Sequence, residues 1–142
     1  SDAVQALSQV RVCAPSYIIL AGANPSEGIV LTRSANASEF PQSLSSGGSS
    51  SAINWFEAQS NCDWWEPCAN PYDDRRSLAI SQLNSLGQDV AATDQGLLTV
   101  LSTPATSTTK GVLNNDTLYT ALMAPYLPVS DSGMIFAHIP MT

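Results

Sequence analysis

Two neighbouring apolar segments constrain the fold of this chain more than any other feature. Ser16–Ala23 reads SYIILAGA and Gly28–Arg33 reads GIVLTR, and the residues NPSE between them are turn formers. Short runs rich in Ile and Val are typical of buried strands, because β-branched side chains pack well on a pleated sheet. The pair therefore predicts a hairpin of buried strands.

Three further segments carry apolar side chains at helical spacing. The first is Asp2–Val10, which we interpret as the end of a helix. The second is Arg76–Leu86, which Gly87 follows as a stop signal. The third is Asp94–Ser102, which Thr93 precedes as a capping residue. Both of the later helices are expected to cover a sheet.

The remaining segments complete an α+β pattern with an antiparallel sheet. Asn54–Ser60 (NWFEAQS) alternates in polarity and predicts a strand, and so does Gly133–Ile139 (GMIFAHI). Leu118–Met123 (LYTALM) fits a helix face and a strand equally well. Residues 34–52 are rich in Ser and Gly, so they predict a surface loop that buries little apolar area.

Composition excludes several classes of function. The chain has 142 residues, 44% of them hydrophobic, which is enough for one domain with a hydrophobic core. Twelve acidic residues against five basic ones give a net charge of −7, which argues against nucleic acid as a partner. The sequence shows neither an apolar run long enough to span a bilayer nor a signal peptide or initiator Met, so we expect a mature or processed chain.

The cysteines and sequons favour a secretory or lysosomal route. Cys62 and Cys68 could close a short disulfide, which leaves Cys13 as the odd cysteine. The three form no CxxC motif, so no metal site is expected. Asn36 and Asn115 each begin an Asn-x-Ser/Thr sequon and are candidate glycosylation sites.

The stretch SNCDWWEPCANPYDDRRS, from Ser60 to Ser77, contains two of the five basic residues side by side. One interpretation is an ion-pair cluster at a helix start, where aspartates also suit the helix dipole. The other is that one arginine pairs with an aspartate while its neighbour faces a site. Asn61 is either a turn residue or an amide that donates hydrogen bonds to an oxygen gaining charge.

Other chemistries find little support in the sequence. His138 is the single histidine and no GxSxG motif is present, so a Ser-His-Asp triad is not expected. Walker A, HExxH and EF-hand motifs are also lacking, and no cofactor is expected. A carboxylate pair, as in glycosidases, can be drawn from Asp63, Glu66, Asp73 and Asp74, although their spacing does not fix a distance. A carbohydrate- or lipid-binding module could use Trp55, Trp64 and Trp65.

Several stretches, taken in order, resemble the C-terminal part of acid ceramidase and its relative N-acylethanolamine acid amidase. They extend over about Val10–Met123, and the combination Asn-x-Asp-x-Trp, Asp-Asp-Arg-Arg and Val-Leu-Ser-Thr carries the resemblance. The stretches are APSYIILAG, SEGIVLTR, SNCDWWEP, YDDRRS, LLTVLSTPA and LNNDTLYTALM.

The resemblance implies an N-terminal-nucleophile hydrolase of four layers, with two antiparallel sheets between helices. In such enzymes autocleavage frees an N-terminal Cys that serves as nucleophile and base, and the substrates are ceramides or N-acylethanolamines. Residues 1–142 would form the C-terminal segment of one such domain. The partner would be the N-terminal half that carries the nucleophile. The resemblance also implies a lysosomal, vacuolar or extracellular location and association with a membrane surface.

By the same resemblance, Asn61 corresponds to the oxyanion-hole Asn and Arg75 to the Arg that orders the nucleophile's amine and the substrate amide. Three neighbours would support this loop, namely Asp63, Asp74 and Arg76. The family's Asn-Tyr-Asp is Asn-Cys-Asp here, and its Cys beyond the arginines is Gln82. Nothing before Ser16 resembles the nucleophile segment, so this chain alone is expected to be inactive. The alternative is a catalytically silent relative that serves as a structural or assembly component.

Overall fold

The computed structural model describes residues 2–24, 26–44, 55–126 and 134–137. The chain divides into two compact units: Ser1–Glu57 with Pro125–Pro128, and Ala58–Ala124 with Val129–Thr142. Within the described ranges, every helix is too short or too polar to cross a membrane.

The first unit is a three-stranded antiparallel sheet preceded by a helix. Its elements are α1 (Asp2–Gln9), β1 (Ser16–Ala21), β2 (Gly28–Arg33) and β3 (Ser38–Ser43), with the strand order β1-β2-β3. Strands β1 and β2 pair in register, with Ile19 opposite Val30. The predicted hairpin and the predicted first helix are therefore confirmed. The expected burial holds for most of β2 only, since every residue of β1 is exposed or half-buried and Ile19 is 68% exposed.

Strand β3 corrects the prediction of a Ser/Gly-rich surface loop over residues 34–52. Ser38–Ser43 pairs with β2, with Ile29 opposite Ser43, and the register shifts between Val30 and Thr32. An edge strand is held by main-chain hydrogen bonds and tolerates polar residues and a proline, as at Pro41, so its composition resembles that of a loop. Residues 45–52 lie outside the described part of the chain.

A buried arginine joins α1 to this sheet. Arg33 ends β2 and is only 1% exposed, beside the buried Val30 and Leu31. Its guanidinium donates to the carbonyls of Ala37, Val10 and Leu7, the last two at the end of α1. A cation suits the negative end of a helix dipole, and its donors satisfy carbonyls that the helix leaves unpaired. Arg33 thus fixes the position of α1.

The second unit contains a helical cluster and a two-stranded sheet. A 3-10 turn (Pro71–Asp73) precedes α2 (Arg75–Leu86), α3 (Gln88–Ala91) and α4 (Asp94–Leu101). Gly87 ends α2 at a φ of 74°, and the Thr93 side chain caps α4 by accepting from the Gly96 amide. The two predicted helices are confirmed, and the short α3 between them was not predicted.

Close packing of α3 and α4 depends on a glycine. Gly96 is buried in the first turn of α4, and a Cβ built there would lie 2.0 Å from the carbonyl oxygen of Val90. Only a residue without a Cβ allows this approach. Gly96 therefore allows α3 and α4 to pack closely against each other.

The tail resolves one open alternative. Thr120–Met123 forms strand β4, which pairs antiparallel with β5 (Met134–Ala137). LYTALM is thus a strand from its third residue, and the strand predicted at Gly133–Ile139 is confirmed over Met134–Ala137. Gly133 and His138 lie outside the described residues.

The strand predicted at Asn54–Ser60 is wrong over its described part. Residues 55–60 form no strand, and Asn54 lies outside the described residues. The alternation instead accompanies local contacts, since the Trp55 and Phe56 rings meet edge to face with centroids 4.6 Å apart. Alternation reports which side chains share a face, and it does not supply the partner strand that a sheet needs.

Candidate functional site

The second unit brings together two residues that lie far apart in the motif. Nη2 of Arg75 donates to Oδ1 of Asn61 across 2.6 Å. Asn61 lies in an irregular loop and is exposed, whereas Arg75 is the first residue of α2 and is half-buried. The contact thus ties a loop amide to the start of a helix.

The loop around Asn61 is held by local polar contacts and a disulfide. Nε2 of Gln59 donates to the carbonyls of Ser60 and Cys62, each at 2.8 Å. Cys62 and Cys68 are joined by a disulfide, as the sequence predicted. We call residues 62–68, which this bond closes, the disulfide loop. Since Cys62 directly follows Asn61, the covalent bond restricts the backbone at the candidate site.

The start of α2 is fixed by its capping residues. The Asn70 side chain accepts from the Tyr72 amide at 3.1 Å, which caps the 3-10 turn. Asp74 accepts from the Ser77 amide at 3.1 Å and caps α2. Hydrogen bonding with the Ser77 side chain lowers the pKa of the Asp74 carboxyl, and the Ser77 amide and the charge of Arg76 add to the effect. Asp74 therefore fixes the start of α2, where Arg75 is the first residue.

Lys110 and Asp116 belong to the same cluster, and neither is among the site residues that the sequence predicted. Nζ of Lys110 lies 2.8 Å from Oδ2 of Asp116 and 3.8 Å from Oδ1 of Asp73. The Lys110 amide also donates to the Tyr72 carbonyl at 2.7 Å. The signal that could have found Lys110 is that it is the single lysine of the sequence.

These contacts modify the ion-pair interpretation of the motif. In the part of the chain that the structure describes, the ion pair of Asp73 is with Lys110. Arg75 instead binds a neutral amide, and its charge contributes to the lowered pKa of the Asp116 carboxyl, behind the larger effect of Lys110. Arg75 thus positions the amide of Asn61 rather than pairing with a carboxylate.

A cavity of about 290 Å³ lies beside Asn61. Three of the four acidic residues from which a carboxylate pair could be drawn line this cavity. The fourth, Asp74, caps α2 instead. The lining includes Asn61, Cys62, Asp63, Glu66, Cys68, Asn70 and Asp73. Among the described residues, no group of three or more His, Cys, Asp or Glu is arranged to hold a metal ion.

The tryptophans of the disulfide loop contact each other rather than lying parallel. The Trp64 and Trp65 rings meet edge to face, with centroids 6.0 Å apart, and both residues are half-buried. Trp55 lies in the other unit, against Phe56. Edge-to-face pairs are a common packing arrangement of aromatic side chains. The rings accordingly have a structural use that needs no ligand.

The arrangement at Asn61 suits the stabilisation of negative charge. Because Arg75 occupies Oδ1, the opposite end of the amide, Nδ2, is the donor end. An amide N–H group held in advance of the reaction favours an oxygen that gains charge, since it needs no reorganisation at that moment.

Sequence and structure comparisons place these observations in a family. No protein-family model matches the chain. It is 34% identical to the N-acylethanolamine-hydrolyzing acid amidase of Caenorhabditis elegans over 132 residues, covering 92% of this chain and 33% of that protein. It is 33% identical to human acid ceramidase over 124 residues, covering 86% of this chain and 28% of that protein.

A solved structure agrees with the sequence matches. The Caenorhabditis elegans N-acylethanolamine-hydrolyzing acid amidase ortholog aligns with a TM-score of 0.76 at 32% identity, covering 98% of this chain and 54% of that chain. The fold is thus α+β, a part of the antiparallel N-terminal-nucleophile hydrolase fold. The chain is a relative of N-acylethanolamine acid amidase and acid ceramidase, and it corresponds to their C-terminal part. It spans about a third of the length of these curated relatives.

Proposed function

We propose that this chain supplies the oxyanion-stabilising wall of a lipid amide hydrolase whose nucleophilic Cys lies on another segment. Asn61 donates to the oxygen of the tetrahedral intermediate, and Arg75 holds that amide while it orders the nucleophile's amine. The substrates are ceramides or N-acylethanolamines, the two classes in the names of its relatives.

The 2.6 Å hydrogen bond between Arg75 and Asn61 is the observation that carries this proposal. An asparagine in a mobile turn would present either end of its amide. Here the guanidinium can only donate, so it selects Oδ1 and directs Nδ2 away. The exposure of Asn61 and the adjacent cavity leave room for a reacting group.

The proposed partner is the N-terminal half of the same domain, which contributes the Cys. Two of the three cysteines here form the disulfide, and the third, Cys13, is exposed in the first unit. In the proposed reaction the thiolate attacks the amide carbonyl, and the electron pair moves to the oxygen facing Asn61. Collapse of this intermediate expels the amine, which takes the proton that the α-amine of the nucleophilic Cys removed from its thiol. An acyl thioester remains for water to hydrolyse.

Substitution of Asn61 in the enzyme assembled with its nucleophile segment tests the proposal. Asn61→Ala should lower kcat by about 10²–10³, the usual cost of losing one oxyanion donor, while KM changes little. The matched control is Asn84→Ala, an exposed amide on α2. Turnover of Asn61→Ala at the wild-type rate would remove Asn61 from the mechanism.

A catalytically silent relative is the alternative, and the replacement of the family's Tyr by the disulfide-bonded Cys62 favours it. Intact mass and N-terminal sequencing of native material, before and after reduction, separate the two. A partner polypeptide that begins with Cys supports the hydrolase. A partner without that Cys supports a structural component, in which Asn61 and Arg75 persist without catalysis.

We further propose a lysosomal or extracellular glycoprotein that acts at a membrane surface, where lipid amides reside. The disulfide is typical of oxidising compartments. Asn36 and Asn115 are both exposed, as acceptors of N-glycans must be. The expected observation is a loss of mass on enzymatic deglycosylation, and loss of each increment with Asn36→Gln or Asn115→Gln.

A further inference from the structure

We infer that Lys110 is a positioning residue of this site: by binding Asp116, it keeps the Arg75 guanidinium on Asn61. The inference rests on the proposed function and extends it to a residue outside the motif. Lys110 acts through its neighbours and need not touch the substrate.

The cluster contains two cations and two carboxylates that compete for one another. Lys110 Nζ makes a direct 2.8 Å hydrogen bond to Asp116 and stands 3.8 Å from Asp73. The charge of Arg75 is close enough to influence both Lys110 and Asp116. Arg75 nevertheless donates to a neutral amide oxygen.

That choice of acceptor needs an explanation. A hydrogen bond from a guanidinium to a carboxylate is roughly twice as strong as one between neutral groups, and it can be bidentate. A nearby carboxylate without a partner would therefore compete with the Asn61 amide for Arg75. Lys110 removes this competition at Asp116, because its ammonium already binds that carboxylate at 2.8 Å.

The backbone places Lys110 for this task. Its amide donates to the Tyr72 carbonyl in the 3-10 turn, so the lysine is attached to the segment that precedes Arg75. Gly111 follows it in a tight passage, where a Cβ would lie 2.4 Å from the Ala105 nitrogen. Asp116 is held by its own amide, which donates to the Asn114 side chain at 2.9 Å. Both members of the pair thus have backbone anchors.

The test is a charge-deletion cycle in the enzyme assembled with its nucleophile segment, with a lipid amide as substrate. Lys110→Met should lower kcat about tenfold, a fraction of the cost of losing the donor itself, with KM within about twofold. Adding Asp116→Asn removes the competing carboxylate and should restore kcat to within about threefold of wild type. Lys110→Arg should retain most of the activity because it keeps the charge.

The control is Arg11→Met, which deletes an exposed cation of the first unit and should leave kcat unchanged. The inference is overturned if Asp116→Asn fails to restore turnover, or if Arg11→Met costs as much as Lys110→Met. If Lys110→Met does not fold, the comparison moves to the Asp116→Asn background. There, loss of Lys110 should cost less than about threefold in kcat, and a larger loss overturns the inference.

Asn61→Ala measured in parallel separates the two levels of the argument. If that variant is impaired and Lys110→Met is not, the positioning role alone is wrong. If Asn61→Ala turns over at the wild-type rate, the proposed function fails and the positioning role fails with it. The melting temperatures of Lys110→Met and of the double variant with Asp116→Asn are measured as well. If kcat recovers in the double variant while its melting temperature stays low, positioning rather than stability governs turnover.

Discussion

Removing the disulfide beside Asn61 should lower the stability of the protein by an amount that the length of the closed loop predicts. The bond between Cys62 and Cys68 spans a sequence separation of 6. In the chain-entropy model, closing so short a loop lowers the entropy of the unfolded chain and so stabilises the folded state by about 2.3 kcal/mol at 25 °C. The double variant Cys62→Ala with Cys68→Ala should therefore have a free energy of unfolding lower by this amount. Its kcat should also fall, because Asn61 directly precedes the backbone that the disulfide no longer restricts.

Urea unfolding followed by tryptophan fluorescence is the assay, since Trp64 and Trp65 lie inside the disulfide loop and report on it directly. With urea m-values of about 1–3 kcal/mol/M, the midpoint should fall by roughly 0.8–2.3 M. Reduced wild-type protein should show a similar midpoint to the double variant. Cys13→Ala is the matched control, because that thiol is exposed and outside the disulfide.

An unchanged midpoint in the double variant, with the intact mass of the wild type confirming the oxidised bond, would refute the entropic argument. A lowered midpoint with unchanged kcat would refute the link between the disulfide loop and the position of Asn61. The two measurements thus test stability and function separately.

Two further predictions concern the buried Arg33 and the half-buried Glu57. Arg33→Met should destabilise the protein by about 2–4 kcal/mol in the same assay, because three carbonyls lose a charged donor, and Arg33→Lys should recover part of this. A loss below about 0.5 kcal/mol would show that water replaces the guanidinium. Burial raises the pKa of the Glu57 carboxyl, so ionisation at this position opposes folding. Glu57→Gln should therefore match wild-type stability below about pH 4 and exceed it increasingly as the pH rises past the usual glutamate pKa. A constant difference at every pH would contradict this.

The local elements of the fold followed from the sequence because their signals act over short distances. The β1-β2 hairpin depends on two apolar runs and the turn between them. Helices α2 and α4 depend on apolar spacing, on Gly87 as a stop and on Thr93 as a cap. The disulfide joins two cysteines separated by only six positions.

Which polar segments pair as strands did not follow from the sequence. Strand β3 looks like a polar loop because its main chain, and not its side chains, makes the bonds that hold it. Residues 55–60 alternate like a strand but form none, since alternation does not create a partner. In both cases the deciding interaction is made with another segment.

The candidate site divides in the same way. The motif by itself offered Asn61 as a candidate oxyanion donor, and the family resemblance added Arg75. Their 2.6 Å contact, the capping role of Asp74 and the cluster around Lys110 are decided by the tertiary structure. The physical reason is that sequence fixes which donors and acceptors a chain owns, whereas only folding decides which of them compete at hydrogen-bonding distance.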